Sequence, residues 1–394
     1  MSAFRLGVNY WPRETAMAMW SRLDFSAIDD DFAHIHALGL RAVRFFLRWS
    51  DFAPRPGDVA RDALADFVRL LDVADRHGLV TMPTLFCGHM SGVNWLPSWT
   101  LDERTPAGRF RTMTERGESP YGAGDFYTGE LLDAERMLAR ELGVRAREHR
   151  ALAVWDLGNE FSNVREPASP RDAAHWSAAL THDLFETSNV AATGGLHGED
   201  LEQDRRIRPS SIAVPWPYAT MHGYSVYSRF ARGRLDPDVV PFLCELTSSC
   251  ARKRVLFSEF GNPACPREGE PAGDVACLSE FEMAEYASRV LDRLQRRGAL
   301  GAYWWCWTDY APALAATPPF DRAAHELRFG LVRADGSEKP VAHALAAFAR
   351  EGRAVADVRP PIVEEAPYFA GLPATLDRAY AAYCEEHGLA EEVS

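Results

Sequence analysis

The chain has 394 residues, of which 47% are apolar, so it can bury a large core. Its net charge is −13 and its basic residues form no stripe, which argues against a nucleic-acid partner. No apolar run reaches the roughly 20 residues that a membrane-spanning helix needs. The opening residues lead straight into an apolar strand without a signal-peptide pattern. We therefore expect a cytoplasmic protein with no membrane partner, and no pattern predicts its oligomeric state.

The seven cysteines are an odd number and show no Cys-x-x-Cys spacing. This pattern favours a reducing compartment over a disulfide framework. Four of them, Cys244, Cys250, Cys265 and Cys277, fall near one predicted strand, but their spacing is not that of a zinc site. We expect no metal.

Short apolar runs alternate with helical patterns along the chain, which is typical of a parallel α/β fold. The helical segments Ala63–His77 and Glu280–Arg297 each end before a glycine, a common stop signal. Eight runs are predicted as strands: Arg5–Tyr10, Ala42–Leu47, Val80–Phe86, Ala153–Leu157, Val190–Gly194, Ala219–His222, Val255–Ser258 and Gly301–Trp305.

A doubly wound open sheet would give the same alternation. Two observations favour an eight-stranded (β/α)8 TIM barrel. No glycine-rich dinucleotide fingerprint follows the first strand. Polar and aromatic residues also collect at the C-terminal ends of the strands, which form one rim in a barrel and carry its active site. These residues are Asn9, Tyr10, Arg44, His89, Asn159, Glu160, His222, Tyr224, Glu259 and Trp305.

We predict that residues 1–354 form the catalytic barrel and that residues 355–394 form an extension packing on it. Within the barrel, the segment Gly88–Thr128 is predicted as a long loop, rich in aromatic residues and glycine. The extension begins with proline and glutamate and continues as a helix over Ala374–His387.

Glu160 and Glu259 each end a predicted strand, the fourth and the seventh, so a closed barrel would point both into one central pit. Hydrolysis of a glycoside needs one neutral and one ionised carboxyl group on either side of the scissile bond. The two glutamates are therefore candidate catalytic residues. Each could instead be a capping or salt-bridged glutamate of the barrel rim.

The motifs around both glutamates resemble those of clan A glycoside hydrolases, and in detail those of glycoside hydrolase family five. The run Trp155–Glu160 is similar to the clan's Asn-Glu signature, and Phe257–Gly261 is similar to its nucleophile strand. His222–Tyr224 resembles the His-x-Tyr pair of family five. Arg44 and His89 stand where that family has an arginine and a histidine. The matches keep barrel order from about residue 5 to residue 340.

The resemblance implies roles for these residues. Glu160 would be the general acid and then the base, and Glu259 would be the nucleophile. Asn159 would bind the sugar 2-hydroxyl. Tyr224 would donate a hydrogen bond to Glu259, and Arg44 would keep Glu259 ionised through its positive charge. His222 would lie near Glu160 and help tune it. His89 would contact the sugar, and Trp305, in the run Gly301–Trp305, would stack beneath it. Neighbours alternate across a strand, so a slip of one residue would place Trp304 there instead.

The resemblance that bears on the substrate is less specific than the resemblance of the catalytic motifs. Gly7–Pro12 and Thr84–Trp95 are similar to β-mannosidase-like branches of family five. A cytoplasmic location and a long aromatic loop fit a pocket and an exo-acting enzyme on short manno-oligosaccharides. We therefore predict a retaining β-mannosidase without a cofactor. β-Glucosidase, β-galactosidase and endo-β-mannanase activities are alternatives on the same fold.

Two alternatives belong to other classes. A non-catalytic sugar-binding barrel would lack one glutamate, and this chain has both. A barrel lyase or isomerase would normally have a metal cluster or a phosphate site near the last two strands. The loop after the eighth strand, Trp307–Tyr310, does not have the glycine-rich sequence of a phosphate-binding loop.

Overall fold

Eight parallel strands form a barrel at the centre of the computed structural model, which describes residues 3–358 and 360–389. The strands are β1 (Arg5–Tyr10), β2 (Ala42–Arg48), β3 (Val80–Cys87), β4 (Trp155–Asn159), β5 (Ala192–Gly195), β6 (Ala219–His222), β7 (Val255–Phe260) and β8 (Gly301–Trp304). Their order in the sheet is β5-β4-β3-β2-β1-β8-β7-β6. The predicted (β/α)8 barrel is confirmed, and each predicted strand overlaps one of these.

The gap between β5 and β6 is closed by single contacts instead of a ladder. The His222 N–H donates to the Leu196 carbonyl at 2.8 Å, and the Thr193 hydroxyl donates to the Tyr218 carbonyl at 2.9 Å. The first contact lies at the C-terminal ends of the two strands. The closure therefore brings the ends of β5 and β6 to the same rim as the others.

Amphipathic helices surround the barrel because each strand is covered on its outer face and needs an apolar partner there. Helix Arg61–Arg76, for example, buries Leu64, Phe67 and Leu71, which share one helical face. The main helices are Phe25–Ala37, Arg61–Arg76, Gly129–Arg145, Pro170–Ser188, Val239–Ala251, Glu280–Arg296 and Pro340–Glu351. Short helices occupy Trp49–Phe52, Phe161–Val164, Glu199–Glu202 and Pro209–Ile212, and 3₁₀ turns occupy Ala16–Ser21, Ser98–Thr100, Pro312–Leu314 and Ala324–Arg328.

The predicted loop after β3 carries sheet structure of its own, which corrects the prediction. Its strands are His89–Met90, Val93–Trp95, Leu101–Pro106, Arg111–Thr114, Gly117–Ser119 and Tyr121–Ala123. They form a four-stranded and a two-stranded sheet. Each strand has six residues or fewer, so alternation was too brief to indicate them.

The chain after the barrel forms helices Glu365–Ala370 and Ala374–Glu386. The Tyr368 hydroxyl donates to the Leu201 carbonyl at 2.8 Å, and the Tyr380 hydroxyl donates to Asp236 at 2.6 Å. The described part of the extension therefore packs beside the loops after β5 and β6. Among the described residues, no helix has the length and hydropathy to cross a bilayer.

A disulfide joins Cys265 and Cys277, so the expectation of no disulfide was wrong at this pair. The two cysteines meet because the Cys265 N–H donates to the Leu278 carbonyl at 2.7 Å, a contact made by folding. Because these two sulfurs are bonded to each other, Cys265 and Cys277 cannot be zinc ligands, which excludes two of the four cysteines considered for a zinc site. The other cysteines, Cys87, Cys244, Cys250, Cys306 and Cys384, are free and buried.

Candidate active site

A cavity of about 480 Å³ opens at the C-terminal ends of the barrel strands. Arg44 lies fully buried beneath it and binds Glu259. The structure therefore brings together all eight residues predicted from the sequence, since the other seven line the cavity: His89, Asn159, Glu160, His222, Tyr224, Glu259 and Trp305.

The two glutamates face each other across this cavity. One carboxylate oxygen of Glu160, one of Glu259 and a ring nitrogen of His222 all lie within 4.8 Å of one another. Glu160 follows β4 with a left-handed backbone, at φ 46° and ψ 45°, and its N–H donates to the Gly195 carbonyl at 3.1 Å. A non-glycine residue in this conformation costs about 1–3 kcal/mol, and such residues concentrate at functional sites.

Glu259 is held by a cation and a hydroxyl. Arg44 pairs with Oε1, and the Tyr224 hydroxyl donates to Oε2 at 2.6 Å. Burial raises the pKa of the Glu259 carboxyl, and the charge of Arg44 and the hydrogen bond from Tyr224 oppose that rise. The two partners therefore favour the ionised form of a carboxylate that burial alone would neutralise.

Arg44 is the centre of a buried polar network. Its guanidinium donates to Asp156 Oδ2 at 2.7 and 2.9 Å, to Asn159 Oδ1 at 2.8 Å and to Asn9 Oδ1 at 3.0 Å. The Thr84 hydroxyl donates to the same Asp156 oxygen at 2.7 Å. Sequence reasoning assigned no role to Asp156, although it stands in the motif that ends at Glu160. Its carboxylate fixes the guanidinium that binds the candidate nucleophile.

Three histidines surround Glu160. His222 Nδ1 lies 3.1 Å from Oε1, while His89 Nε2 and His197 Nδ1 lie 3.7 and 3.9 Å from Oε2. Burial lowers the pKa of all three, that of His222 to about 3, so the rings are neutral near pH 7. The three rings therefore place no positive charge beside Glu160.

Trp305 forms one wall of the cavity, as the resemblance implied. Its side chain is buried beside Phe46, with ring centroids 5.8 Å apart. Trp304 points the other way, and its Nε1 donates to the Phe329 carbonyl at 2.8 Å. Of the two tryptophans, Trp305 is therefore the one that faces the cavity.

Two long excursions from the barrel contact each other beside the cavity. One follows β3 and the other follows β8, and no residue of the loops after β1 and β2 lines the cavity. Three polar contacts join the excursions: Ser91 to Glu326 at 2.9 Å, Arg111 to Asp321 at 2.9 Å, and Arg322 to Glu118 at 3.1 Å. We call these contacts the clamp. The clamp therefore joins the excursion after β3 to the excursion after β8 beside the cavity.

Sequence reasoning missed several residues of the cavity wall. His197 follows β5 closely, so the same strand-end pattern that marked the other residues could have found it. Asn163 follows Glu160 by three residues, and its Nδ2 donates to Glu160 Oε2 at 3.0 Å. Tyr227 and Glu326 belong to long loops, where no periodicity marks them.

Two groups of described residues bring three potential metal ligands within 4.8 Å: Glu160, His222 and Glu259, and Glu245, Glu386 and His387. Arg44 already pairs with Glu259, and the Arg297 guanidinium lies 3.9 Å from Glu245. A cation in either group would therefore face a guanidinium, which makes both poor metal sites.

No protein-family model matches the sequence, and no curated protein matches it. Solved structures do. An exo-β-1,4-mannosidase from Opitutaceae bacterium strain TAV5 aligns with 26% identity and a TM-score of 0.71 over 89% of this chain. The alignment covers 60% of that enzyme's length.

Two GH5_18 proteins share the fold at lower identity. The one from Streptomyces cattleya, in complex with GlcNAc, has 21% identity and a TM-score of 0.81 over 98% of this chain and 92% of its own. The one from Bifidobacterium longum subsp. infantis has 23% identity and a TM-score of 0.74 over 92% and 81%.

The barrel and the paired carboxylates at its rim are the arrangement that hydrolysis of a glycoside requires. The predicted resemblance to the β-mannosidase-like branch of glycoside hydrolase family five is confirmed by these neighbours.

Proposed function

We propose that the protein is a retaining exo-β-glycosidase that hydrolyses β-mannosides or short manno-oligosaccharides. The observation that carries the proposal is the approach of Glu160 and Glu259, whose nearest carboxylate oxygens lie within 4.8 Å. Retaining enzymes hold their two carboxyl groups about 5–5.5 Å apart, while inverting enzymes need about 6.5–9.5 Å to admit a water.

The environments of the two carboxyl groups support different roles. Glu259, paired with Arg44 and Tyr224, would attack the anomeric carbon as a carboxylate. Glu160, among neutral histidines, would protonate the leaving oxygen. It would then take a proton from the water that hydrolyses the glycosyl-enzyme ester. Asn159 would bind the 2-hydroxyl and Trp305 would face the sugar ring.

The clamp supports the exo mode. An endo-acting enzyme needs a groove open at both ends, whereas the contacts of Ser91 with Glu326 and of Arg111 with Asp321 tie together two excursions that contribute to the cavity wall. A terminal sugar would fit a cavity of about 480 Å³ better than the middle of a polymer.

The choice of mannose is supported by the fold neighbours. The Opitutaceae neighbour is named as an exo-β-1,4-mannosidase, and a GH5_18 variant from Streptomyces cattleya was crystallised with Manβ1-4GlcNAc. We propose a small β-mannoside of this kind as substrate and a cytoplasmic location for the reaction.

A panel of aryl β-mannoside, β-glucoside and β-galactoside, run beside mannan, tests the sugar and the exo mode together. We expect the aryl β-mannoside to react fastest and mannan to release only mannose. ¹H NMR of the first product should show the β-anomer, and an initial α-anomer would contradict retention.

Two variants test the glutamates. Glu259→Ala should abolish turnover, and azide should restore some activity with an inverted product. Glu160→Ala should slow substrates with poor leaving groups far more than those with good ones. Glu245→Ala, a carboxylate outside the cavity, is the matched control. Unchanged hydrolysis by Glu259→Ala would refute the assignment.

A further inference from the structure

A single helical turn, Phe161–Val164, follows Glu160 directly. Asn163 lies in this turn, and its backbone N–H donates to the Glu160 carbonyl at 2.8 Å. Its side chain also returns to the same glutamate, with Nδ2 donating to Oε2 at 3.0 Å. His222 faces the other oxygen, Oε1. The two oxygens of Glu160 therefore have different partners, and Asn163 is the one nearest Oε2.

Arg205 fixes the orientation of that amide. Its Nη1 donates to Asn163 Oδ1 at 2.6 Å, and its Nη2 pairs with Glu199. A guanidinium can only donate, so the amide oxygen must face Arg205 and the NH₂ group must face Glu160. Asn94 holds the same turn from the other side, because its Nδ2 donates to the Asn163 carbonyl at 3.1 Å. Arg205 is itself buried, at 7% exposure, so this arrangement is not a surface contact.

We propose that Asn163, held by Arg205, is a positioning residue for Glu160 that aims its carboxyl group and stabilises its ionised form. An N–H donor to a carboxylate oxygen favours the charged form over the neutral acid. The charged form is the base that the second half of the proposed reaction requires. The kinetic part of this inference rests on the proposed function, whereas the effect on protonation does not.

Other groups also face Glu160 and must be considered with Asn163. They are His222 from β6, His89 from the end of β3, His197 from the loop after β5, and Glu259 from β7. The histidines are neutral near pH 7, and Glu259 pairs with Arg44. The Asn163 bond is therefore a direct donor to Oε2 whose removal changes no formal charge in the site.

The pKa of Glu160 is the first measurement. It can be read by ¹³C NMR of carboxyl-labelled protein, with Glu160→Gln assigning the signal. In Asn163→Ala we expect this pKa to rise by about one unit, because one hydrogen bond to the charged form is lost. Arg205→Met should shift the pKa in the same direction by less, since the amide is retained but no longer oriented. Arg206→Met is the matched control, because Arg206 pairs with Glu166 at the surface and should leave the pKa unchanged.

Kinetics on the β-mannoside panel are the second measurement. In Asn163→Ala the pH at which kcat/KM falls on the basic side of its profile should increase by the same amount as the pKa of Glu160. The rate with a poor leaving group should fall about tenfold, while that with an activated aryl leaving group changes little. KM should stay near the wild-type value, because Asn163 acts through Glu160.

The outcomes separate the two proposals. An unchanged Glu160 pKa in both Asn163→Ala and Arg205→Met would overturn the inference, whatever the activity. A raised pKa in a protein that hydrolyses none of the glycosides would uphold the positioning of Glu160 and overturn the proposed function. If Asn163→Ala does not fold, the pKa in Arg205→Met decides the question.

Discussion

Replacing Arg44 with methionine removes the one guanidinium that Glu259 and Asp156 share while keeping a side chain of similar length. Both carboxyl groups are buried, with relative exposures of 3% and 0%. Breaking a buried ion pair by removing one partner costs about 3–5 kcal/mol. For 394 residues, at about 2.1 cal/mol/K of unfolding entropy per residue, this corresponds to a fall in Tm of about 4–6 °C.

The loss should depend on pH with a definite sign. Burial already raises the pKa of Glu259 and of Asp156, and Arg44 opposes both rises. Without the cation, both pKa values rise further in the folded state. The variant therefore binds protons that the unfolded chain releases, so its stability decreases as pH rises above the unfolded pKa. We expect a larger deficit at pH 8 than at pH 5.

Activity should follow the same shift. The acidic limb of kcat/KM reports ionisation of the free nucleophile, and an adjacent cation lowers a carboxyl pKa by about 1–3 units. The limb in Arg44→Met should move up by a similar amount. Urea unfolding and pH–rate profiles measure the two effects. Arg48→Met is the matched control, since Arg48 pairs with Asp51 outside the network. An unmoved limb together with unchanged stability would refute the reasoning.

Three further predictions concern other contacts. In Tyr224→Phe, Glu259 loses the donor at 2.6 Å, so pH–rate profiles should show the acidic limb about one unit higher and kcat about tenfold lower. Glu135 is buried against Trp176, and burial raises its pKa well above the usual range. From about pH 5 up to the folded-state pKa of Glu135, Glu135→Gln should gain about 1.4 kcal/mol of stability over wild type per pH unit in urea titrations. A flat difference would contradict a neutral Glu135. In Glu326→Ala the clamp loses its contact with Ser91, so the ratio of mannan to aryl β-mannoside hydrolysis should increase. An unchanged ratio would show that the clamp does not produce the exo mode.

The barrel could be predicted because its strands are short, buried on both faces and separated by amphipathic helices. Arg5–Tyr10 and Ala219–His222 have the predicted bounds, and β4 begins later than predicted, at Trp155. Apolar runs indicate a buried strand but do not show where its hydrogen bonds begin.

The candidate site could be predicted where a residue ends a strand. Glu160, Glu259 and His222 follow this pattern, and a barrel brings such ends together whatever the intervening length. Arg44 lies inside β2, four residues before its end, and was indicated by the family resemblance. Asn163 does not follow the strand-end pattern. Its contact with Glu160 depends on one turn of helix and on an arginine 42 positions away.

The disulfide illustrates the same limit. Cys265 and Cys277 are 12 residues apart without a motif, and only the fold of the loop after β7 brings them together. Disulfides are rare in reducing compartments. The cytoplasmic location therefore stays a prediction, and this bond is a reason to test it by thiol labelling of cell fractions.

The amino-acid sequence by itself determined the barrel and the eight predicted residues that the structure brings together at the cavity, because periodicity, strand ends and motifs are local properties of the chain. Tertiary structure decided the rest. It selected Trp305 over Trp304, placed Asp156 and Asn163 behind the two glutamates, and joined the excursions after β3 and β8. Each of these depends on contacts between segments far apart in the chain, and those contacts exist only after the barrel closes.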